Sequence, residues 1–191
     1  MKSFSTMPEG FRRRLWAGRG APPSVYGVAI HSPAGRIMPV EIERKFLVTS
    51  NAWRAGARAT PIRQGYLSQE GATVRIRIAD GDAFITVKGK TQGLSRAEFE
   101  YPIPVEDARV MLETLCARPL IEKTRYAVEH AGRLWTVDVF EGENDGLVMA
   151  EVELDGIDQQ VELPDWVGEE VTADPRYRNS SLVNAPLGYG K

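Results

Sequence analysis

The chain is poor in the residues that build most compact chemical sites. It has a single cysteine, Cys116, so no internal disulfide can form, and no CxxC pair exists to hold zinc. Its two histidines, His31 and His130, are flanked by loop-forming residues and lack a neighbouring partner, which sets imidazole catalysis aside. Long apolar runs are missing too. None approaches the roughly 18 to 20 residues that a membrane-spanning helix needs, so a soluble, cytoplasmic protein without a membrane partner is expected. No tandem repeat or low-complexity tract interrupts the 191 residues, a length that suits one domain with a substantial core.

Charge, by contrast, is plentiful and unevenly placed. Residues 1–37 carry a net charge of +5 and the remainder −7. Glycine and proline punctuate the basic segment and no period is sustained, so it reads as a poorly ordered extension ahead of a domain at 38–191. Arg12, Arg13 and Arg14 are not followed by the apolar stretch and cleavage site of an export signal. A plain flexible extension outranks an arm for nucleic acid or lipid, and no nucleic-acid partner is expected. Met38, directly before the first strand, is an alternative translation start.

From Val40 onward the apolar period is mostly two. "VEIERKFLV", "TVRIRIAD" (73–80), "AFITVKGK" (83–90), "RAEFEYPI" (96–103), "EKTRYAV" (122–128), "LWTVDVF" (134–140) and "MAEVELD" (149–155) all alternate, and 60–69 is a further strand despite Gly65. Turn residues separate them, among them Asp80-Gly81-Asp82, Gly89 to Gly93, Ala131-Gly132 and Asn144-Asp145-Gly146. About eight strands at such spacing suit a barrel or sandwich. Two helices are predicted: 104–116, with an acidic start and one apolar stripe, and 175–183, with Asp174 as N-cap and Pro175 following. A short turn is expected over 51–55. Trp53, Trp135 and Trp166 read as packing residues.

Each strand has one charged and one apolar face, and like signs recur two residues apart: Glu41/Glu43, Arg75/Arg77, Glu98/Glu100, Lys123/Arg125 and Glu151/Glu153, with Lys45, Lys88 and Asp138 as singles. One such strand is simply the wet side of an antiparallel sheet. For the whole set, a solvated sheet would interleave opposite charges, so segregation by sign points to ligands. Carboxylates without His or Cys suit a hard cation, Mg2+ or Mn2+. Arg and Lys clusters suit phosphate. Both on one concave surface suit a metal-bridged polyphosphate, whose triphosphate form carries about four to five negative charges, each worth on the order of 4 kcal/mol beside a cation at roughly 4 Å. If the charged faces line the inside of a closed barrel, the apolar faces point outward, the helices cover part of that outside, and room is left for a homodimer.

At this point the residues resemble the CYTH, or triphosphate tunnel metalloenzyme, superfamily. Its ExExK signature corresponds to Glu41-Ile42-Glu43-Arg44-Lys45. In the family's order there follow "RQGYL" (63–67), "VRIR" (74–77), "TVKG" (86–89), "LSRAEFEY" (94–101), "IEKTRY" (121–126), "DVFEG" (138–142), "AEVEL" (150–154) and "DPRYRNSSL" (174–182). The resemblance is closest to short bacterial inorganic triphosphatases and implies a mainly β fold of the α+β class, an eight-stranded antiparallel barrel tunnel open at both ends with a few helices packed outside. It makes Glu41, Glu43 and Glu153 metal ligands with Glu151 and Asp138 nearby, and has Lys45, Arg75, Arg77, Lys88, Lys123 and Arg125 grip the phosphates. Tyr66 matches a tyrosine suggested as proton acceptor in similar proteins; a phenol of ordinary pKa, about 10, is a poor base, and a metal-bound water aligned by Glu98 or Glu100 is an equal alternative.

The expected reaction is Mg2+- or Mn2+-dependent hydrolysis of inorganic tripolyphosphate, or of another triphosphate, to pyrophosphate and phosphate. Class IV adenylate cyclases and thiamine triphosphatases belong to the same superfamily and remain alternatives. Cyclase relatives often carry His-Phe shortly before ExExK, where this chain has "GRIMPV". A polyphosphate-binding module without hydrolysis is the non-enzymatic alternative, against which the full carboxylate set argues.

Overall fold

The computed structural model describes residues 29–31, 37–90 and 95–188, with side chains from Val40 onward except Ser95. The described residues form ten strands: β1 (Ala29–His31), β2 (Ile37–Val48), β3 (Arg58–Ser68), β4 (Thr73–Ala79), β5 (Asp82–Lys88), β6 (Ser95–Ile103), β7 (Ile121–His130), β8 (Arg133–Phe140), β9 (Val148–Glu153) and β10 (Val167–Glu170). Eight of them close into an antiparallel barrel in the order β2-β6-β5-β4-β3-β7-β8-β9, with β9 returning to β2. Long β2 makes closure possible by pairing Val40 to Ile42 with β6 and Glu43 to Leu47 with β9.

Strands β1 and β10 add to β2 beside the barrel. The end of the basic extension therefore contributes a strand, while its arginine run lies outside the described residues. Hairpin turns fall where the sequence predicts them. Asp80 and Gly81 have φ of 51° and 84°, Ala131 and Gly132 of 48° and 73°. Paired positive φ values match the twist of the flanking strands.

Helix α1 (Val105–Thr114) carries Glu106 and Asp107 in its first turn, where they suit the helix dipole. It packs Ala108 and Leu112, with Cys116 just beyond, over Ile76 and Ala83. The helix predicted over 175–183 is broken instead. A 3-10 turn, Pro175–Tyr177, is capped by Asp174, which accepts from the Arg176 backbone N–H at 2.9 Å. Arg178 is then extended, and α2 (Ser181–Asn184) follows. On one continuous helix Tyr177 and Leu182, five apart, would point to different faces; the break buries both in one cluster. No helix among the described residues is long and apolar enough to cross a membrane.

Two apolar clusters lie outside the barrel wall, as the alternation requires. One joins Val40, Ile42, Phe46, Val137 and Val152 to Trp53, Trp135 and Trp166, with Phe46 and Trp166 each 5.7 Å from Trp135 between ring centroids. The other is the seam under α1. A third cluster lies inside. Leu47, Tyr66, Ile121, Phe140 and Met149, all on inward faces, meet Val171, Tyr177, Leu182 and Val183. At this end of the barrel the C-terminal segment packs against the inward apolar residues and forms an apolar floor.

Candidate active site

Strand alternation delivers the charged residues to one interior. Glu41, Glu43 and Lys45 share a face of β2, and the barrel register sets Glu153 opposite Glu43, Glu151 opposite Lys45 and Arg96 opposite Glu41. Around the wall, Glu98 faces Lys88, Glu100 faces Thr86, Arg75 faces Thr86 and Tyr66, and Arg125 faces Asp138. Seven cations (Lys45, Arg75, Arg77, Lys88, Arg96, Lys123, Arg125) thereby meet seven carboxylates (Glu41, Glu43, Glu98, Glu100, Asp138, Glu151, Glu153).

Opposite charges do interleave, then, but between strands rather than along them. Glu41 Oε2 lies 2.7 Å from Arg96 Nε and 3.1 Å from Lys88 Nζ. Lys45 Nζ reaches Glu43 at 2.8 Å and also pairs with Glu151. Glu100 accepts from Arg75, Arg77 and the Thr86 hydroxyl at 3.2, 2.8 and 2.8 Å. Asp138, fully buried, accepts two bonds from Arg125 at 2.7 Å and a further one from Lys123. Like-sign repulsion along each strand is therefore answered by cross-strand neighbours that strand periodicity alone does not display.

The balance is nonetheless uneven along the bore. Glu153 reaches solvent, yet protein atoms crowd it, and this desolvation, followed by Glu41, Glu43, Glu151 and Glu98, pushes its carboxyl up to about 7. Burial and then Glu41 raise Glu98 in the same way. Toward the apolar floor the imbalance reverses. Burial and then Arg75 hold Arg77 below its usual range despite Glu100. Burial brings the Lys123 ammonium down to about 8 despite Asp138. Cations elsewhere win against burial: Lys88 and Arg96 hold Glu41, and Lys45 and Arg125 hold Glu151, well below the carboxylate range.

Inside the bore the buried Nε–H groups of Arg75 and Arg77 lack acceptors among the described residues; Arg63 Nε–H and the indole N–H groups of Trp53 and Trp135 lack them too, but on the outer face of the wall. A buried, unpaired guanidinium N–H is costly unless a ligand arrives to accept from it. Among the described residues no three of His, Cys, Asp and Glu already converge as a metal cage. The donor chemistry still fits a hard divalent cation: oxygen ligands only, with Glu43 and Glu153 directly across from one another and the raised Glu153 marking a place short of positive charge.

Of the residues expected to hold metal, Glu41, Glu43 and Glu153 share this acidic region; Glu41 and Glu43 are ion-paired with Lys88, Arg96 and Lys45, and Asp138 and Glu151 with Lys123, Arg125 and Lys45. Tyr66 is buried, accepts from Gln64 Nε2 at 3.2 Å and is pushed up to about 12 by burial, which outweighs the nearby arginines. Its phenol keeps its proton at neutral pH. Arg96 escaped the sequence reading although it continues the inward alternation of Glu98 and Glu100. Thr86, Gln64 and Asn179, whose Oδ1 accepts from Lys123 at 2.9 Å, escaped it as well. His130 lies outside the bore, 3.7 Å from Glu162.

The comparisons with known proteins agree with this geometry. The CYTH domain description matches residues 39–187. A protein of Acetivibrio thermocellus named inorganic triphosphatase is 47% identical over 150 residues, which cover 78% of this chain and 96% of the relative. One of Nitrosomonas europaea with the same name is 40% identical over 148 residues, covering 75% and 96%. The crystal structure of the inorganic triphosphatase NE1496 superposes with a TM-score of 0.58 at 36% identity, over 75% of this chain and 93% of that one. With an eight-stranded barrel, an inward ExExK strand and a family match across nearly the whole of it, the chain belongs to the CYTH domain family.

Proposed function

We propose that the chain hydrolyses inorganic tripolyphosphate to pyrophosphate and phosphate inside the charged bore, with a divalent cation, Mg2+ or Mn2+, as cofactor. The two relatives named inorganic triphosphatase support the activity. One structural observation carries the reading: the buried Nε–H groups of Arg75 and Arg77, which lack acceptors among the described residues, share a lumen with a carboxylate group short of positive charge. A polyphosphate bridged by a metal ion satisfies both.

Glu41, Glu43 and Glu153 would hold the cation. When bound, it supplies charge neutralisation and Lewis-acid polarisation of the phosphate oxygens. Arg75 and Arg77 offer fork-shaped donors to non-bridging oxygens, Lys45, Lys88, Lys123 and Arg125 add charge, and Arg96 fixes Glu41 and Glu43 through bonds of 2.7 and 3.4 Å. Asp138 and Glu151 keep Lys123, Arg125 and Lys45 in place. Water attacks a terminal phosphorus in line, its oxygen joins that phosphorus, and the bridging oxygen leaves with pyrophosphate. Glu98, raised by burial and by Glu41, is the better proton acceptor of the two candidate carboxylates, because Glu100 is held low by Arg77 and Arg75 against its burial. The proton then passes to solvent. Tyr66 shapes the floor.

Incubation with tripolyphosphate, ATP and thiamine triphosphate, with Mg2+ or with chelator, tests this. Tripolyphosphate should turn over fastest, only with metal, to equimolar pyrophosphate and phosphate. Glu43→Ala should lower kcat/KM by about 100-fold or more, since metal charge stabilisation is worth several kcal/mol. Full turnover in chelator, or by Glu43→Ala with Mg2+, would overturn the reading.

A further inference from the structure

Strand β2 changes neighbours in the middle of its charged face. Glu41 lies opposite Arg96 on β6, whereas Glu43 lies opposite Glu153 on β9, so the two carboxylates belong to different halves of the barrel wall. Arg96 spans that division. Its Nε donates to Glu41 Oε2 at 2.7 Å and its Nη2 to Glu43 Oε1 at 3.4 Å. The two lysines beside it are shared differently: Lys88 Nζ lies 3.1 Å from Glu41 and 2.7 Å from Glu98, and Lys45 Nζ lies 2.8 Å from Glu43 and also pairs with Glu151. Each lysine keeps one carboxylate if it gives up the other. Arg96 instead bonds to both ExExK carboxylates, and with 23% of its side chain exposed it is more accessible than Lys88 at 7% or Lys45 at 10%. A divalent ion set on Glu41 and Glu43 meets this fixed positive charge on the same oxygens, and like charges at such range repel strongly.

Resting on the reading that Glu41, Glu43 and Glu153 hold the cation, we propose that Arg96 is a built-in counter-charge that competes with the metal for Glu41 and Glu43. The bonds that fix the two carboxylates also occupy them. Metal uptake requires the guanidinium to leave both, which isolates a cation in a poorly solvated bore unless an anion is there to receive it. Lys88 and Lys45 do not act in this way, because Glu98 and Glu151 still anchor them. Arg96 thus makes tight metal binding conditional on the anion and keeps the carboxylates from filling with metal alone. It is a positioning residue, acting on the reaction through Glu41 and Glu43.

The test titrates the full chain with Mn2+ in the absence of anion and reads the unbound ion by its electron paramagnetic resonance signal. Arg96→Met, similar in length but uncharged, should bind Mn2+ at least about fivefold more tightly, the lower end of ordinary coupling between sites. Arg96→Gln makes the same comparison should the Met variant fold poorly. Arg96→Lys keeps the charge and should stay near the wild-type affinity. With a non-hydrolysable imidotriphosphate present, and Mn2+ held by the free analogue subtracted, the gap between wild type and Arg96→Met should narrow, because the anion then receives the guanidinium. Unchanged or weaker Mn2+ binding in the uncharged variants would overturn the proposal, and so would an Arg96→Lys that binds as tightly as they do. A mere strut across the seam of the barrel would lower the melting temperature and bring no gain in affinity. The hydrolase reading fails separately: if the Arg96 variants shift Mn2+ affinity as expected while wild type leaves tripolyphosphate intact, hydrolysis falls and the counter-charge stands. No Mn2+ binding by wild type or variants would remove the metal site and this role with it.

Discussion

Glu153 shows how a single carboxyl reports its surroundings. Its folded pKa of about 7 lies above the ordinary value of 4.5. Stability from this group is fully present below that ordinary value and is lost as pH rises through about 7, because the folded state must then hold an anion beside Glu41, Glu43 and Glu151. Glu153→Gln removes the penalty. In chelator the variant should melt at the wild-type temperature near pH 4 and above it at pH 8; the side chain reaches solvent, so screening keeps the gain below about 1 kcal/mol. Thermal scans at the two pH values decide it, and a melting difference that stays constant with pH would contradict an upward shift of this carboxyl. Residues of this kind were legible to the extent that strand alternation could place them. The ExExK face and the paired arginines follow from period two. Arg96 was lost because only like-sign neighbours were sought, and it sits two before a glutamate. Asn179 carries no periodic mark at all, since it meets Lys123 across 56 residues of chain. The perturbed state of Tyr66 depends on burial that no local pattern encodes.

At the scale of elements, Gly65 is the informative position. Within β3 it looks like a flaw, a residue with no side chain to pack. In the fold it lets the end of α1 approach the sheet: a Cβ there would stand 2.7 Å from Cys116 Cβ and 2.8 Å from Leu120 Cδ2. Gly65→Ala forces that seam apart and should cost about 1–3 kcal/mol, the usual range for overpacking. A fall in Tm of roughly 2–4 °C per kcal/mol is then expected for a chain of this size. Its side chain would point away from the bore, so kcat should survive at temperatures where the variant is folded; an unchanged Tm would show that the helix end yields freely. The strands and α1 were readable because long alternation or one apolar stripe dominates them, and turn residues mark the hairpins. The break after Tyr177 was not readable. Asp174 and Pro175 begin a helix by local rules, but burying Tyr177 and Leu182 in the same floor, a tertiary demand, ends it after one turn.

For the whole molecule, closure of the barrel makes the charges interdependent. The chain carries a formal net charge of only −2, and among the described residues inside the bore cations and carboxylates are equal in number. A polyphosphate entering alone must draw Lys88 from Glu41 or Lys45 from Glu151, leaving those carboxylates unpaired in a poorly solvated space. A divalent cation entering alone faces the same difficulty with the released lysines and arginines. Together they exchange partners, with anion to the basic side chains and metal to the carboxylates, and no charge is stranded. The two should therefore bind with positive coupling, and by linkage each must raise the other's affinity by the same factor, about 5- to 150-fold for a coupling of about 1–3 kcal/mol. Calorimetry with a non-hydrolysable imidotriphosphate, with and without Mg2+ and corrected for metal held by the free anion, measures one side of the square; Mg2+ titrations with and without the analogue measure the other. Salt should weaken the anion step least when metal is present, because the enclosed exchange is screened less than an exposed contact. Anion affinity independent of Mg2+ would mean that the carboxylates serve only as counter-ions to the basic wall, and the metal-bridged chain would have no place in the bore.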